Sequence, residues 1–192
     1  MMKMMMTKAN VAAILAGAAL MLAPQGSLAQ DKGKSAAAEL TSDSQAALQT
    51  LYTTSPLAKA LGPKAEAILV FPKVTKAGLG IGGQYGEGAL LKKGSASAFY
   101  KTTGASVGLQ AGGQQYGYAM FFMNANAIEQ LNKANGFEVG VGPSLVVVDE
   151  GMAKTTTTTT LKDDIYAFVF GQKGLMAGLG IQGNKISKIT PK

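Results

Sequence analysis

The segment GLGIGGQYGEGALL, residues 78–91, alternates between two kinds of side chain. Its odd positions are Leu79, Ile81, Gly83, Tyr85, Glu87, Ala89 and Leu91, and its even positions begin with Gly78, Gly80 and Gly82. A period of two predicts a β-strand, here with one mainly apolar face and one nearly bare face. Glycine inside a strand is costly, and it marks a bend, a bulge or the close approach of another segment.

The same alternation recurs in three later segments of the chain. They are residues 104–112, 137–142 and 174–181. Four such strands predict one sheet whose glycine side is strongly curved or closely covered. We expect a helix or the opposite wall of a barrel to pack against the glycines of this side, represented by Gly80, Gly108, Gly140 and Gly178.

The start of the chain has the three parts of a secretory signal peptide. A basic segment, MMKMMMTK, precedes an apolar run over residues 9–23 and the small-residue sequence PQGSLAQ. This order predicts cleavage after Ala29, with residues 1–29 as the signal peptide and residues 30–50 as a flexible leader and helix. A membrane anchor is the weaker alternative, because the run is shorter than the ~20 residues of a membrane span. The predicted location is the periplasm or cell envelope of a bacterium.

The composition excludes several classes of function. The chain contains no cysteine and no histidine, so it lacks disulfides, thiolate metal sites and the commonest catalytic bases and nucleophiles. Removing Lys3 and Lys8 with the signal peptide lowers the net charge from +7 to +5, and every positive side chain is a lysine. Lysine favours diffuse attraction to anionic surfaces over bidentate recognition. We therefore expect no catalytic residue, no metal, no cofactor and no nucleic acid partner.

Two glycine motifs formally match a dinucleotide-binding fingerprint, at residues 78–83 and 178–183. That fingerprint requires a strand, a tight turn and then the start of a helix at the phosphate. Here the glycines lie within strand alternation and no helix follows. A membrane-inserted glycine zipper is also disfavoured, because Gly-x-Gly alternation is poor helix material. The glycines therefore indicate sheet structure.

The remaining elements follow from local signals. Three helices are predicted, over residues 36–52, after an N-cap at Ser55 with Pro56 following, and from Asn126. Strands are predicted over residues 65–71, 77–91, 95–101, 104–111, 115–123, 137–148 and 165–170, in the threonine run 155–160, and from 174 to near 189. The predicted fold is α+β: a strongly curved antiparallel β-sheet or half-open barrel with two or three flanking helices.

Glu87 is unusual because it lies on the apolar face of its strand. A carboxylate there must be hydrogen-bonded, paired or at a rim. We expect a structural role, with a lysine or tyrosine as partner. The aromatic and methionine residues of segment 116–123 are expected in the core or around an apolar cavity, and the sequence leaves both open.

A surface for lipid is predicted where lysines cluster. These lysines are Lys59, Lys64, Lys73, Lys76, Lys92 and Lys93. Leu57 and Leu61 lie four residues apart on the short second helix and so share one face. Lys59 lies on a different side of this helix. Such a helix can place leucines among lipid headgroups while its lysine stays hydrated. The alternative is that both leucines pack on the sheet.

The chain resembles the SYLF domain family in its exported bacterial branch. The resemblance rests on KAGLGIGGQYGEGALL, ASVGLQAGGQQYGYAMFFMN, VGVGPS and IYAFVFGQKGLMAGLGIQGNKISKI, in this order, within residues 51–189. It implies a lipid-binding module over residues 51–192. For eukaryotic relatives the resemblance implies binding of phosphoinositide membranes through an amphipathic basic N-terminal segment, and in some members binding of actin. This chain has no lysine between Lys34 and Lys59, so those two partners are not carried over.

The sequence therefore predicts non-enzymatic binding of lipid or of an anionic membrane surface in the cell envelope. The expected partner is an anionic phospholipid. Binding would combine lysine attraction to headgroups with an apolar surface or cavity for acyl chains. The alternative is a structural or protein-partner-binding envelope protein, in which the glycine face is the docking surface.

Overall fold

The computed structural model describes residues 27–133, 135–148, 162–174, 181 and 183–192, with side chains described except at 27–34, 79–80, 106–111 and 174. The helices are α1 (Ser27–Thr54), α2 (Pro56–Leu61) and α3 (Ala125–Glu129), with 3-10 turns at Gly62–Lys64 and Gln130–Asn132. The strands are β1 (Ala67–Lys92), β2 (Ser95–Phe122), β3 (Phe137–Glu138), β4 (Leu145–Val148), β5 (Ile165–Gly174) and β6 (Lys185–Ile189).

One very long hairpin organises the sheet. β1 and β2 pair antiparallel along their whole length, from Ala67 opposite Phe122 to Lys92 opposite Ser95. The other edge of β2 pairs with β6 near its start and with β5 near its end, both antiparallel. β3 pairs antiparallel with β6, and β4 pairs parallel with β5. The sheet is therefore mixed, whereas a purely antiparallel one was predicted, and it curls into a half-barrel, which confirms the predicted fold class.

The two ends of β1 cross closely, and glycine makes this possible. A Cβ at Gly86 would lie 2.7 Å from the carbonyl oxygen of Lys73 and 2.7 Å from Cγ2 of Val74. A Cβ at Gly88 would collide with the carbonyl oxygen of Val70 and lie 2.8 Å from Cδ1 of Phe71. The glycine face is thus covered by the opposite wall, as predicted, but the observed contacts are at Gly86 and Gly88.

The four glycines singled out from the sequence have different outcomes. Gly80 and Gly108 pair with each other at a register shift in the hairpin, while their immediate surroundings lie outside the description. Gly178 also lies outside the described residues. Gly140 is exposed in a turn at φ 94° and belongs to no strand, so the prediction that it packs beneath another segment is wrong. Positive φ favours glycine there.

Several predicted strands are continuous with one another. Pro72 does not end its strand, because β1 continues through a register shift between Phe71 and Val74. A bulge tolerates the missing proline N–H. Residues 102–103 and 112–114, which separate predicted strands, lie inside β2, and residues 171–173, which separate two further predicted strands, lie inside β5. The predicted strand over 137–148 is divided into β3 and β4 by turns, and the threonine run lies outside the described residues.

The core has two parts, one on each face of the sheet. The inner cluster includes Leu69, Phe71, Tyr118, Met120 and Phe122. The outer cluster joins α1 and α2 to the sheet and contains Leu48, Leu51, Leu57, Ala58, Leu61, Ile68, Val70, Ala89, Leu91, Ala119, Phe121, Val148, Tyr166 and Phe168. The aromatic segment at the end of β2 is therefore core on both faces, since alternate residues enter opposite clusters.

The observed helix starts agree only in part with those predicted from local sequence signals. Ser55 caps α2 as predicted, because its Oγ accepts a hydrogen bond from Ala58 N at 3.2 Å. α3 is capped by Asn124, whose Oδ1 accepts from Ala127 N at 2.9 Å, so the predicted start at Asn126 is wrong by two residues. α1 extends through residues 30–35, which were expected to be a flexible leader.

Asp164 ties three chain segments together at one end of the sheet. Its carboxylate accepts hydrogen bonds from Asn124 Nδ2 at 2.6 Å and from Ser144 N and Oγ, both at 3.1 Å. These donors stabilise the charged form and hold the pKa of Asp164 below its ordinary value of 3.8. The ends of β2 and the starts of β4 and β5 are thereby linked through one carboxylate.

Acid is expected to destabilise the fold through Asp164. Because its pKa is lowered in the folded protein, its stabilising contribution is complete above the ordinary value and is lost as the pH falls through the folded-state pKa. Melting temperatures measured from pH 7 down to pH 2 should therefore fall less steeply below pH 4 for Asp164→Asn than for the wild type. Asp163→Asn is the matched control, and an unchanged acid profile for Asp164→Asn would contradict the assignment.

Candidate lipid-binding surface

The structure leaves most of the predicted lysines at the surface but does not gather them into one group. Lys59 and Lys64 are exposed on α2 and the 3-10 turn after it. Lys73 is exposed beside the Pro72 bulge, and Lys92 and Lys93 are exposed at the tip of the hairpin. The remaining one, Lys76, is partly buried and makes an interaction of its own.

The distance along α1 shows that two of these groups are separate. The hairpin tip contacts α1 at Gln45, whose Nε2 donates to the carbonyl oxygen of Gly94 at 2.7 Å. α2 follows the far end of α1, where Ser55 N donates to Leu51 O at 2.8 Å. Ten residues of helix from Gln45 to Ser55 span ~15 Å. This exceeds the Debye length of ~8 Å at physiological salt, so the groups act largely independently.

Leu57 and Leu61 do not face solvent. Their exposed fractions are 5% and 1%, and both belong to the outer core cluster beneath α1. Together with Ala58 they attach α2 to the sheet. Insertion of these two leucines among lipid headgroups is therefore incompatible with the folded conformation, and the alternative that they pack on the sheet holds.

A second group of lysines comes together where the sequence analysis did not expect one. Lys133, Lys185 and Lys188 line a cleft of about 460 Å³ between the turn after α3 and strand β6. The other lining residues are Leu131, Asn132, Asn135, Gly136 and Ser187. All three lysines are exposed, and within the described residues none forms an ion pair. We call this feature the basic cleft.

Gly136 allows the turn to approach β6 and so forms one wall of the basic cleft. It has φ 78°, and its N–H donates to Lys133 O at 2.9 Å. A Cβ there would lie 2.6 Å from Ile186 O and 2.9 Å from Ser187 Oγ. A larger residue would be strained and would push the turn away from the strand.

The basic cleft concentrates positive charge in a concave surface. The described residues of its lining contribute hydroxyl and amide groups but no carboxylate, and the nearest described acidic residue by register is Glu138, opposite Lys185. Like charges close together repel each other, and a bound anion relieves that repulsion. Concave surfaces of one sign also attract counter-ions from a distance. The arrangement therefore suits a phosphate or carboxylate group.

Glu87 lies near this end of the sheet, on the rim. The hydroxyl of Tyr85 donates to Glu87 Oε1, and this hydrogen bond raises the pKa of Tyr85. Glu87 is half-buried and stands opposite Lys101 across the hairpin. A tyrosine is one of the two partners expected for it, and its structural role stays a prediction.

An uncharged polar network occupies part of the inner face. Tyr116 OH donates to Gln84 Oε1 at 2.7 Å, and Gln84 Nε2 donates to Asn184 Oδ1. Tyr118 OH donates to Thr102 Oγ1 at 2.8 Å. Burial raises the pKa of Tyr116 to about 12, so its hydroxyl is neutral at physiological pH. The network joins the hairpin to the loop before β6, and two buried atoms, Asn184 Nδ2 and Gln114 Oε1, have no hydrogen-bond partner among the described residues.

Two other kinds of site do not occur within the described part of the chain. No group of three or more acidic side chains that could hold a metal ion occurs there. None of its helices combines the length and apolar character needed to cross a bilayer. Among the described residues, the basic cleft and the exposed lysines are the features suited to binding an anionic partner.

The curled mixed sheet, with α1 and α2 on its outer face and a basic cleft at one edge, defines an α+β half-barrel. A family model described as Ysc84, Las17-binding protein actin regulator, matches residues 103–190. This match confirms the resemblance to the SYLF family predicted from the sequence, and the matched segment belongs to it. The matched segment contains all three lysines of the basic cleft. The curated proteins give no significant match. The family is one of binding domains.

Proposed function

We propose that the protein is a non-enzymatic binder of anionic lipid surfaces in the cell envelope. The observation that carries the proposal is the basic cleft, in which Lys133, Lys185 and Lys188 meet without an ion pair among the described residues. Each lysine near an anionic bilayer contributes up to ~1 kcal/mol, and the attraction decays within a Debye length. The exposed lysines on α2 and at the hairpin tip add to the same attraction.

The envelope location rests on the N-terminal sequence. The basic segment, apolar run and small-residue site over residues 1–29 support export with cleavage after Ala29. A second candidate, binding of a protein partner, is favoured by the description of the family as Las17-binding actin regulators. For this chain, with its excess of lysine, an acidic partner surface would use the same cleft.

Vesicle sedimentation tests the proposal. We expect the protein isolated after export from a bacterial host to sediment with vesicles containing phosphatidylglycerol, and not with vesicles of phosphatidylcholine alone. Binding should weaken steeply as salt rises from low to physiological concentration, because screening shortens the distance over which the lysine charges attract the bilayer. Lys133→Glu combined with Lys188→Glu should weaken binding by at least about tenfold, since two attractions become repulsions.

The lysines predicted from the sequence supply the comparison. Lys59→Glu combined with Lys64→Glu changes the net charge by the same amount, and both positions are exposed. A larger loss of vesicle binding for this pair would show that the binding site lies at α2. Binding that ignored salt and both charge reversals would refute the proposal.

A further inference from the structure

The polar network on the inner face contains one donor and one acceptor that remain unpaired among the described residues. Asn184 is 1% exposed, and its Nδ2 has no acceptor. Gln114 is 4% exposed, and its Oε1 has no donor. An unpaired buried polar group costs free energy, so folded proteins pair nearly all such groups with protein, water or a ligand. These two atoms therefore indicate that a further hydrogen-bonding group belongs beside each of them.

Both side chains belong to one cluster inside the half-barrel. Gln114 precedes Tyr116 by two residues on β2, so their side chains share the inner face, about 7 Å apart along the strand. Tyr116 OH donates to Gln84 Oε1 at 2.7 Å, and Gln84 Nε2 donates to Asn184 Oδ1. We call Gln84, Gln114, Tyr116 and Asn184 the amide cluster. Its two unpaired atoms are close enough together for one small molecule to contact both.

The amide cluster lies where the inner face changes from sealed core to open mouth. Further along β2 the inner residues Tyr118 and Met120 are completely buried, whereas Gly112, on the other side of the cluster, is exposed. On β1 the half-buried Gly82 lies beside the buried Gln84 in the same way. The mouths of β-barrels are frequent places of ligand binding. A solute can therefore approach the cluster without entering the apolar core.

The chemistry of the cluster favours a neutral ligand. Its polar groups are three amides and a phenol, and burial keeps that phenol neutral by raising the pKa of Tyr116 to about 12. A buried ion would need a counter-charge. Lys76 stands opposite Gln114, but it already makes an interaction of its own. A hydroxyl group both donates and accepts, so neighbouring hydroxyls suit an unpaired donor and an unpaired acceptor together.

We propose that the amide cluster binds a small neutral polyol through two neighbouring hydroxyl groups. One hydroxyl accepts a hydrogen bond from Asn184 Nδ2, and the other donates to Gln114 Oε1. Gln84 orients Asn184 for this contact through their hydrogen bond. The cluster shares no residue with the basic cleft, so this inference does not depend on the proposed lipid binding. The two hydroxyls can belong to a free polyol or to the glycerol headgroup of phosphatidylglycerol.

The side-chain amide signals in proton–nitrogen correlation spectra test this site directly. Ethylene glycol, which has two neighbouring hydroxyls, is the probe, and it is titrated through the millimolar range because so small a ligand binds weakly. It should shift the signals of Asn184 and Gln114 to saturation. Dimethoxyethane carries the same two oxygens without a donor, and it should produce no saturable shift.

A pair of variants tests the role of the unpaired acceptor. Gln114→Met keeps the size of the side chain and removes Oε1, so it should weaken glycol binding by about tenfold. Its melting temperature should not fall below that of the wild type, because a buried unpaired group is lost. Gln115→Met, at the exposed neighbouring position, is the matched control and should bind glycol normally.

A soluble short-chain lipid, dihexanoylphosphatidylglycerol, distinguishes the two sources of the hydroxyls. Shifts of the same signals at lower concentrations of this lipid than of glycol would assign the cluster to a headgroup, whereas shifts with glycol alone would assign it to a free polyol. Wild-type signals that neither compound shifts, or that glycol and dimethoxyethane shift equally, would overturn the inference. Nuclear Overhauser contacts from a long-lived water to the Asn184 amide that persist at the highest glycol concentration would also overturn it, since water would then be the partner.

Discussion

Gly88→Ala is expected to destabilise the fold by about 1–3 kcal/mol, the usual cost of overpacking a well-packed site. The added Cβ collides with the carbonyl oxygen of Val70 and approaches Phe71, both of which belong to the other half of β1. Backbone cannot move aside as a flexible side chain does, so the two walls of the half-barrel must separate. Gly88→Val should cost more, because two further methyl groups enter the same space.

The matched control is Gly83→Ala in the same strand. A Cβ at Gly83 would meet only Gly104 O, at 3.8 Å, which is an ordinary contact. Replacing an unstrained glycine by alanine mainly restricts the unfolded chain and is neutral or slightly stabilising. For a protein of this size the Gly88 variant should melt lower by roughly 2–4 °C for each kcal/mol lost. Equal melting temperatures for the two variants would show that the ends of β1 do not cross as described.

Gln84→Leu is expected to destabilise the protein by roughly 2–5 kcal/mol. Gln84 is 7% exposed, and its amide joins Tyr116 OH to Asn184 Oδ1. Leucine of similar size fills the space but leaves both partners buried and unpaired, and each such group costs about 1–3 kcal/mol. Chemical denaturation is the appropriate measurement, since the effect on the free energy of unfolding is read directly.

Gln115→Leu provides the control for Gln84→Leu. Gln115 also lies in the hairpin, but it is exposed, so the same change should alter the stability by no more than about 0.5 kcal/mol. Melting at the wild-type temperature by the Gln84 variant would mean that the polar network adds nothing to stability. A second substitution, Tyr116→Phe, should recover part of the loss, since it removes one of the two stranded partners.

The sequence predicted the class of fold because the strongest signals are local. Alternation over residues 78–91 indicates a strand whatever it pairs with, and Ser55 and Pro56 mark a helix start by their own chemistry. The prediction failed where pairing overrides local preference. Gly112 and Gly113 are typical of a turn, yet they lie inside β2 because β1 pairs across them. A close covering of the glycine face by a helix or an opposite wall was predicted, but the position of the contact depends on where the hairpin bends.

The candidate site was harder to predict because its parts are distant in the chain. Lys133 lies about fifty residues before Lys185 and Lys188, and they meet only because β3 pairs with β6. Neighbouring lysines such as Lys92 and Lys93 are conspicuous in a sequence, whereas this pairing is not. Leu57 and Leu61 were ambiguous for a related reason, since an apolar helix face can cover a sheet or enter a bilayer equally well. Only the packing of α2 decides between them.

The position of α1 has a consequence for how the molecule opens. Two adjacent residues of this helix bond to opposite ends of the β1 region, Ser44 Oγ to Val70 O at 3.4 Å and Gln45 Nε2 to Gly94 O at 2.7 Å. Neither end of the strand can move away alone without breaking its bond to the helix. Fraying from one end is therefore suppressed, and local opening becomes a concerted event that includes the departure of α1. Amide protons in both halves of the hairpin are therefore expected to exchange with similar opening free energies.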